Sequence, residues 1–242
     1  MVVDNSAIVR GVISRLIGAA PGMTVAASAV SAAMTAAAPV QPTRRTRPMR
    51  PIVVAVGGST GAPLMLINLF QQLQSRIVQP IFITQHMPAT FTHILAEQIE
   101  RVSGRPAAEA VDGEPVVEGR IYVAPGGWHM TVMREGGRAV IRLNQEPPEH
   151  FCRPAVDPML CSLARVYGPG VLACILTGMG SDGAKGCEAV AASGGRFVVQ
   201  DEATSAAWGM PGAAARTGLA SRVLPADQIA SVLAQMAEGG AQ

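Results

Sequence analysis

The stretch that most restricts the fold is Ile52–Pro63, I-V-V-A-V-G-G-S-T-G-A-P. Five apolar, mostly β-branched residues run directly into glycines, and a helical pattern follows. That order predicts strand, sharp turn and helix. The turn matches G-x-S-x-G over Gly57, Gly58, Ser59, Thr60 and Gly61. In such an elbow the glycines remove side chains that would block a tight turn, leaving the serine hydroxyl exposed above the strand end. Backbone N–H groups at the start of the next helix are free to face developing negative charge. Pro63 falls in the first helical turn, where its missing N–H costs nothing. A plain strand-to-helix turn of small residues would read the same way, so the rest of the chain has to decide.

From Pro51 onward strands and helices alternate. Strand-like runs are Ile52–Val56, Ile81–Gln85, Arg120–Ala124, Val171–Leu176 and Arg196–Gln200. Helical patterns cover Leu64–Arg76, Phe91–Val102, Ala155–Val166, Ala184–Ser193 and Pro225–Ala237. Met130–Arg134 and Ala139–Leu143 form an expected antiparallel hairpin across Glu135–Arg138. Apolar strands separated by helices predict an α/β fold: a three-layer αβα sandwich around a mostly parallel, doubly wound sheet. With 242 residues, 49% of them hydrophobic, the chain can bury a sizeable core.

Composition excludes several classes. A formal net charge of +2 forces no nucleic-acid or membrane-surface reading. Cys152, Cys161, Cys174 and Cys187 form no C-x-x-C, and no histidine pair joins them at zinc spacing. Reduced thiols in a cytoplasmic protein are expected. Asp4 comes too early for a signal peptide. Residues 23–40 are alanine- and serine-rich but too weakly apolar for a membrane span. Residues 39–50 read as a proline- and arginine-rich linker.

In a doubly wound sheet, ligands bind outside the carboxyl ends of the strands. Those ends lead to Ser59, to His86 in T-Q-H-M-P, and to His129 in A-P-G-G-W-H-M. They also lead to Asp182 in T-G-M-G-S-D-G, and to Asp201 and Glu202. A serine hydroxyl is a poor nucleophile until a base takes its proton, and histidine titrates in the right range. A carboxylate fixes the imidazole tautomer and stabilises the imidazolium. Pattern alone does not choose between His86 and His129. His93, in a helical pattern, and His150, in a loop, are weaker candidates. The chain order Ser…His…Asp also differs from the Ser…Asp…His of α/β-hydrolases.

One competing motif is present. Gly178-x-Gly180-x-x-Gly183 lies between a strand and a helix, and Asp201 ends the next strand near the spacing of a ribose ligand. That is a local dinucleotide-binding fingerprint, which would make the chain an oxidoreductase. Against it, Asp182 would bring a carboxylate into the phosphate-binding turn.

Six segments in order carry a resemblance. They are G-G-S-T-G-A-P, T-Q-H-M-P, A-P-G-G-W-H-M, R-P-A-V-D-P-M-L, L-T-G-M-G-S-D-G and W-G-M-P-G-A-A. Together they resemble the catalytic domain of the CheB family, the protein-glutamate methylesterases of bacterial chemotaxis, from about Ile52 to Leu233. The resemblance implies Ser59 as nucleophile, His86 as base and Asp182 as orienting acid. It implies Thr60 and Met179 in the site, with the Met179 N–H as an oxyanion donor. It also implies methylated chemoreceptor helices as substrate, glutamine deamidation as a further activity, and no metal or organic cofactor. A non-catalytic receptor-binding scaffold is the remaining alternative, and the presence of all three reacting groups argues against it. Two departures stand out: Gly58, where the family commonly has alanine, and Ala62, where a third glycine is usual.

Residues 1–38 resemble the opening of a response-regulator receiver domain, V-V-D-N-S-A-I-V-R. The usual acidic pair is Asp4–Asn5, and no Asp or Glu follows until Glu97. A catalytic domain over residues 51–237 is therefore expected to work without phosphorylation control.

Overall fold

The computed structural model describes residues 50–73 and 76–239. The receiver-like segment at 1–38, and the linker at 39–50 apart from Arg50, lie outside the described residues. So does the expected independence from phosphodonors.

In chain order the elements begin with β1 (Val53–Gly58), α1 (Ala62–Leu73), β2 (Ile81–Gln85), α2 (Ala89–Ser103), β3 (Ala107–Glu109) and β4 (Ile121–Val123). A ribbon of β5 (His129–Glu135) and β6 (Arg138–Asn144) follows, then α3 (Val156–Tyr167), β7 (Val171–Ile175) and α4 (Ala184–Ala192). The chain continues through β8 (Arg196–Gln200), α5 (Met210–Arg216), β9 (Arg222–Leu224) and α6 (Ala226–Ala237).

Seven strands form one parallel sheet in the order β3-β4-β2-β1-β7-β8-β9. From β1 the chain builds outward to β2, β4 and β3, then returns to the other side of β1 as β7. The sheet therefore changes winding direction beside β1, and the strand ends open a crevice there. Because β1 is central, all six of its residues are buried, which explains an unbroken apolar run in place of alternation. Val54 and Val56 pack with Leu66, Phe70, Ile99 and Leu233, on the side of α1, α2 and α6. Val53 and Ala55 pack with Leu160, Cys187 and Met210, on the side of α3, α4 and α5. Each large side chain buried this way stabilises the fold by about 1.5–3 kcal/mol.

The expected three-layer fold and antiparallel hairpin are present, with instructive differences. β1 runs two residues further than the apolar pattern, so Gly57 and Gly58 are strand residues and the turn begins at Ser59. A Cβ on Gly57 would lie 2.6 Å from Val156 Cγ1, so the glycine admits the start of α3. The hairpin turn is only Gly136–Gly137, both at positive φ, which matches the twist of a tight two-residue turn. β3 and β9 have three residues each, too short to show a period. The pattern also missed α5, whose sequence M-P-G-A-A-A-R carries weak helical signals.

Candidate active site

Ser59, His86 and Asp182 follow three different strands, and the sheet brings those strand ends together. The β1–β2 ladder ends at Gly58 and Gln85, where the His86 N–H donates to the Gly58 carbonyl at 3.1 Å. The Ser59 N–H donates to the Thr177 carbonyl, just past β7, at 3.0 Å. The serine is thus seated between the ends of β2 and β7, and it is half-buried. A Cβ on Gly178 would come 2.8 Å from Ser59 Cβ, so only glycine lets the β7 loop pass so close.

His86 Nε2 pairs with Asp182 Oδ2 at 2.6 Å, and the two side chains are 10% and 1% exposed. Asp182 is held from a second direction. The Val156 N–H donates to Oδ2 at 2.6 Å and the Asp157 N–H donates to Oδ1 at 2.9 Å. These are among the first N–H groups of α3, which have no partner within the helix and favour a negative charge. Burial pushes the Asp182 carboxyl up. The hydrogen bonds from His86, Val156 and Asp157 outweigh it, leaving Asp182 below the usual 3.8. An ionised Asp182 keeps a proton on Nε2 and leaves Nδ1 as the acceptor.

Nδ1 faces Cys152 Sγ at 3.4 Å, and among the described residues no hydrogen bond joins the Ser59 hydroxyl to His86. Burial, and then the charge of Asp182, push the Cys152 thiol up, so it is a protonated donor. Thr60 is exposed, and its carbonyl accepts from Thr177 Oγ1 at 3.0 Å. Met179 is 67% exposed at the crevice. The N–H groups of Thr60 and Met179 have no acceptor among the described residues.

The other histidine that follows a strand is placed elsewhere. His129 heads β5, is 1% exposed, accepts the Ala155 N–H on Nδ1 at 3.2 Å and donates from Nε2 to the Pro147 carbonyl at 3.2 Å. It pins a loop to the start of α3. His93 is exposed on α2. His150 belongs to a second hydrogen-bonded chain that pattern reading missed. Its Nε2 meets Asp157 Oδ2 at 3.0 Å and its Nδ1 meets Ser181 Oγ at 3.4 Å.

His150, Asp157 and Asp182 offer atoms within 4.8 Å of one another, a spacing that could suit a metal ion. The donor set does not fit a cation, because both Asp182 oxygens and Asp157 Oδ1 already accept helix N–H groups. The same contacts remove the dinucleotide reading. The start of α4 gives its Gly186 N–H to Asp157 Oδ1 at 2.6 Å, so a phosphate there would meet a carboxylate. Asp201 Oδ1 is engaged by the N–H and hydroxyl of Thr204, which makes it a turn residue, not a ribose ligand.

Gln85 was also missed by the motif reading. It is 1% exposed, and its side-chain nitrogen donates to the Ser59 carbonyl at 2.9 Å and to the His86 carbonyl at 3.2 Å. The only signal available was its place beside His86 in T-Q-H-M-P.

Comparison with known proteins gives the family. A family model described as CheB methylesterase matches residues 54–233. The protein-glutamate methylesterase/protein-glutamine glutaminase 1 of Paramagnetospirillum magneticum is 58% identical over 186 residues, covering 76% of this chain and 49% of that protein. The protein-glutamate methylesterase/protein-glutamine glutaminase of Azospirillum brasilense is 55% identical over 190 residues, covering 78% and 48%. The crystal structure of the Thermotoga maritima CheB methylesterase catalytic domain superposes with a TM-score of 0.74 at 36% identity, covering 78% of this chain and all of that one. The chain spans about half the length of the curated relatives it matches.

Proposed function

The chain belongs to the CheB methylesterase family, and from that premise we propose that it hydrolyses glutamyl methyl esters on the cytoplasmic helices of chemoreceptors. Ser59 attacks the ester carbonyl as His86 Nδ1 takes its proton. The imidazolium that forms is stabilised by Asp182, which holds the opposite nitrogen at 2.6 Å. The free N–H groups of Thr60 and Met179 meet the oxyanion, an effect worth about 3 kcal/mol per donor. Proton return from His86 releases methanol. Water then attacks the acyl-serine with His86 again as base, giving glutamate. Amide nitrogen in place of methoxide makes the same route a glutamine deamidation, the second activity in the relatives' names.

For Nδ1 to serve Ser59 it must exchange the Cys152 thiol for the serine hydroxyl. Catalytic hydrogen bonds are often long before substrate arrives and tighten in its complex. A cytoplasmic location follows from the substrate face. Among the described residues no helix is long and apolar enough to cross a membrane.

The observation that carries the reading is the buried His86–Asp182 pair beside a serine seated on a G-x-S-x-G turn. The test is methanol release from a methylated receptor by the purified chain. No release above the uncatalysed rate, from a chain folded by circular dichroism, would sink it.

A further inference from the structure

β1 and β2 pair in parallel up to Gly58 and Gln85, and their last rung is the bond from the His86 N–H to the Gly58 carbonyl. Beyond it the two chains diverge. Ser59 turns into α1, and His86 enters the loop that leads to α2. The two residues that must cooperate in the chemistry therefore sit just where the backbone ladder stops. The Ser59 carbonyl accepts the Ala62 N–H at 3.0 Å as α1 begins, whereas the His86 carbonyl has no backbone donor among the described residues, and buried carbonyls need donors.

One side chain reaches both, as a second donor to Ser59 and the one donor to His86 among the described residues. The Gln85 nitrogen donates to Ser59 O at 2.9 Å and to His86 O at 3.2 Å, and a primary amide carries the two hydrogens that this requires. The reverse amide orientation would set Oε1 against two carbonyl oxygens, so the network itself fixes the assignment. Gln85 Oε1 is left buried with no partner among the described residues. An orphaned acceptor costs about 1–3 kcal/mol, a loss an ordinary core position would avoid with an apolar side chain. Leucine or methionine would fill the space, but neither could tie the serine to the histidine.

We propose that Gln85 is a positioning residue that locks Ser59 and His86 to one another, a side-chain rung continuing the ladder one residue past its end. The proposal rests on the esterase reading for its consequence and on the two hydrogen bonds for its geometry. Gln85 bonds the backbone of both residues, not the Ser59 hydroxyl or the His86 ring. It acts by fixing the backbone carbonyls next to the Cα atoms that carry the Ser59 hydroxyl and the His86 ring. Misplacement by about 1 Å can cost about 100-fold in rate.

The test compares wild type with Gln85→Met, which keeps length and removes both donors, and Gln85→Glu, which keeps shape and replaces the NH2 by oxygen. The readouts are the maximal rate of Ser59 labelling by a fluorophosphonate, and kcat and KM for demethylation of a methylated receptor. The expected result is labelling and kcat reduced about 10- to 100-fold with KM changed less than about twofold. A merely structural role would lower Tm and leave both rates intact below it. That outcome in either folded variant overturns the proposal.

Wild-type Ser59 that does not label at all would defeat the esterase reading instead. The clamp is then read directly by NMR from the two Gln85 side-chain amide protons. Both must exchange slowly with solvent, and rapid exchange of either overturns it. The same measurement decides the matter if neither variant folds.

Discussion

A Cβ built on Gly58 would lie 2.5 Å from the Cβ of Ala62, a separation that no pair of real methyl groups tolerates. The two positions face each other, and the space between them holds one methyl group, that of Ala62.

Gly58→Ala alone should therefore destabilise the domain by about 1–3 kcal/mol through overpacking at the start of α1. Ala62→Gly alone should cost about 1 kcal/mol, from lost packing and added backbone freedom. The double variant should recover most of the loss, with a coupling energy of about 0.5–3 kcal/mol in a denaturant double-mutant cycle. Additive single effects would show that the two methyl positions do not share one space.

Ser59→Ala should remove ester hydrolysis while the domain stays folded. Loss of a triad nucleophile costs about 10⁶-fold in rate. The check is methanol release with an intact near-ultraviolet dichroism spectrum. More than a few per cent residual activity would assign the nucleophile elsewhere.

His86→Ala and His129→Ala should separate cleanly. His86→Ala should be nearly as damaging to turnover as the serine variant. His129→Ala leaves the buried Ala155 N–H without its acceptor, so it should lower stability by about 1–3 kcal/mol and leave kcat close to wild type below its own Tm. The reversed ranking in steady-state kinetics would mean that the wrong strand end was chosen.

Asp182→Asn should slow turnover by about 10⁴-fold through the wrong imidazole tautomer. It should also change acid stability in a definite direction. The folded carboxyl of Asp182 lies below its ordinary 3.8. Its stabilisation is thus complete above that value and is lost as pH falls through the lower, folded one. The asparagine variant should lack this part of the acid-side loss in denaturant titrations. Asp157 works in the opposite sense, because burial raises its carboxyl in the folded state. Its charge therefore costs stability as pH rises past the ordinary aspartate range. An unchanged acid slope in Asp182→Asn would show that the carboxylate is not held as described.

The sequence by itself determined the alternation of strands and helices, the Ile52–Val56 strand and the serine turn that follows it. Those properties are local, since apolar period, β-branching and glycine placement act within a few neighbouring residues. The short strands β3 and β9 escaped it because a period cannot be read from three residues. The residues that would do the chemistry lie beyond such reasoning. His86 and Asp182 are 96 positions apart, and pattern alone left His86 and His129 equal; only the family resemblance preferred one. The tertiary structure distinguishes them by their hydrogen-bond partners. One ring is held between a peptide N–H and a carbonyl, and the other faces a carboxylate seated on the start of α3. Tertiary structure also decided that Asp182, inside an apparent nucleotide fingerprint, is bound by the start of α3, that a thiol rests against the His86 ring, and that Gln85 bridges Ser59 and His86. Each of these is a contact between segments distant in sequence or bent together by a loop. Such contacts are set by how strands order in the sheet, not by the composition of any one stretch.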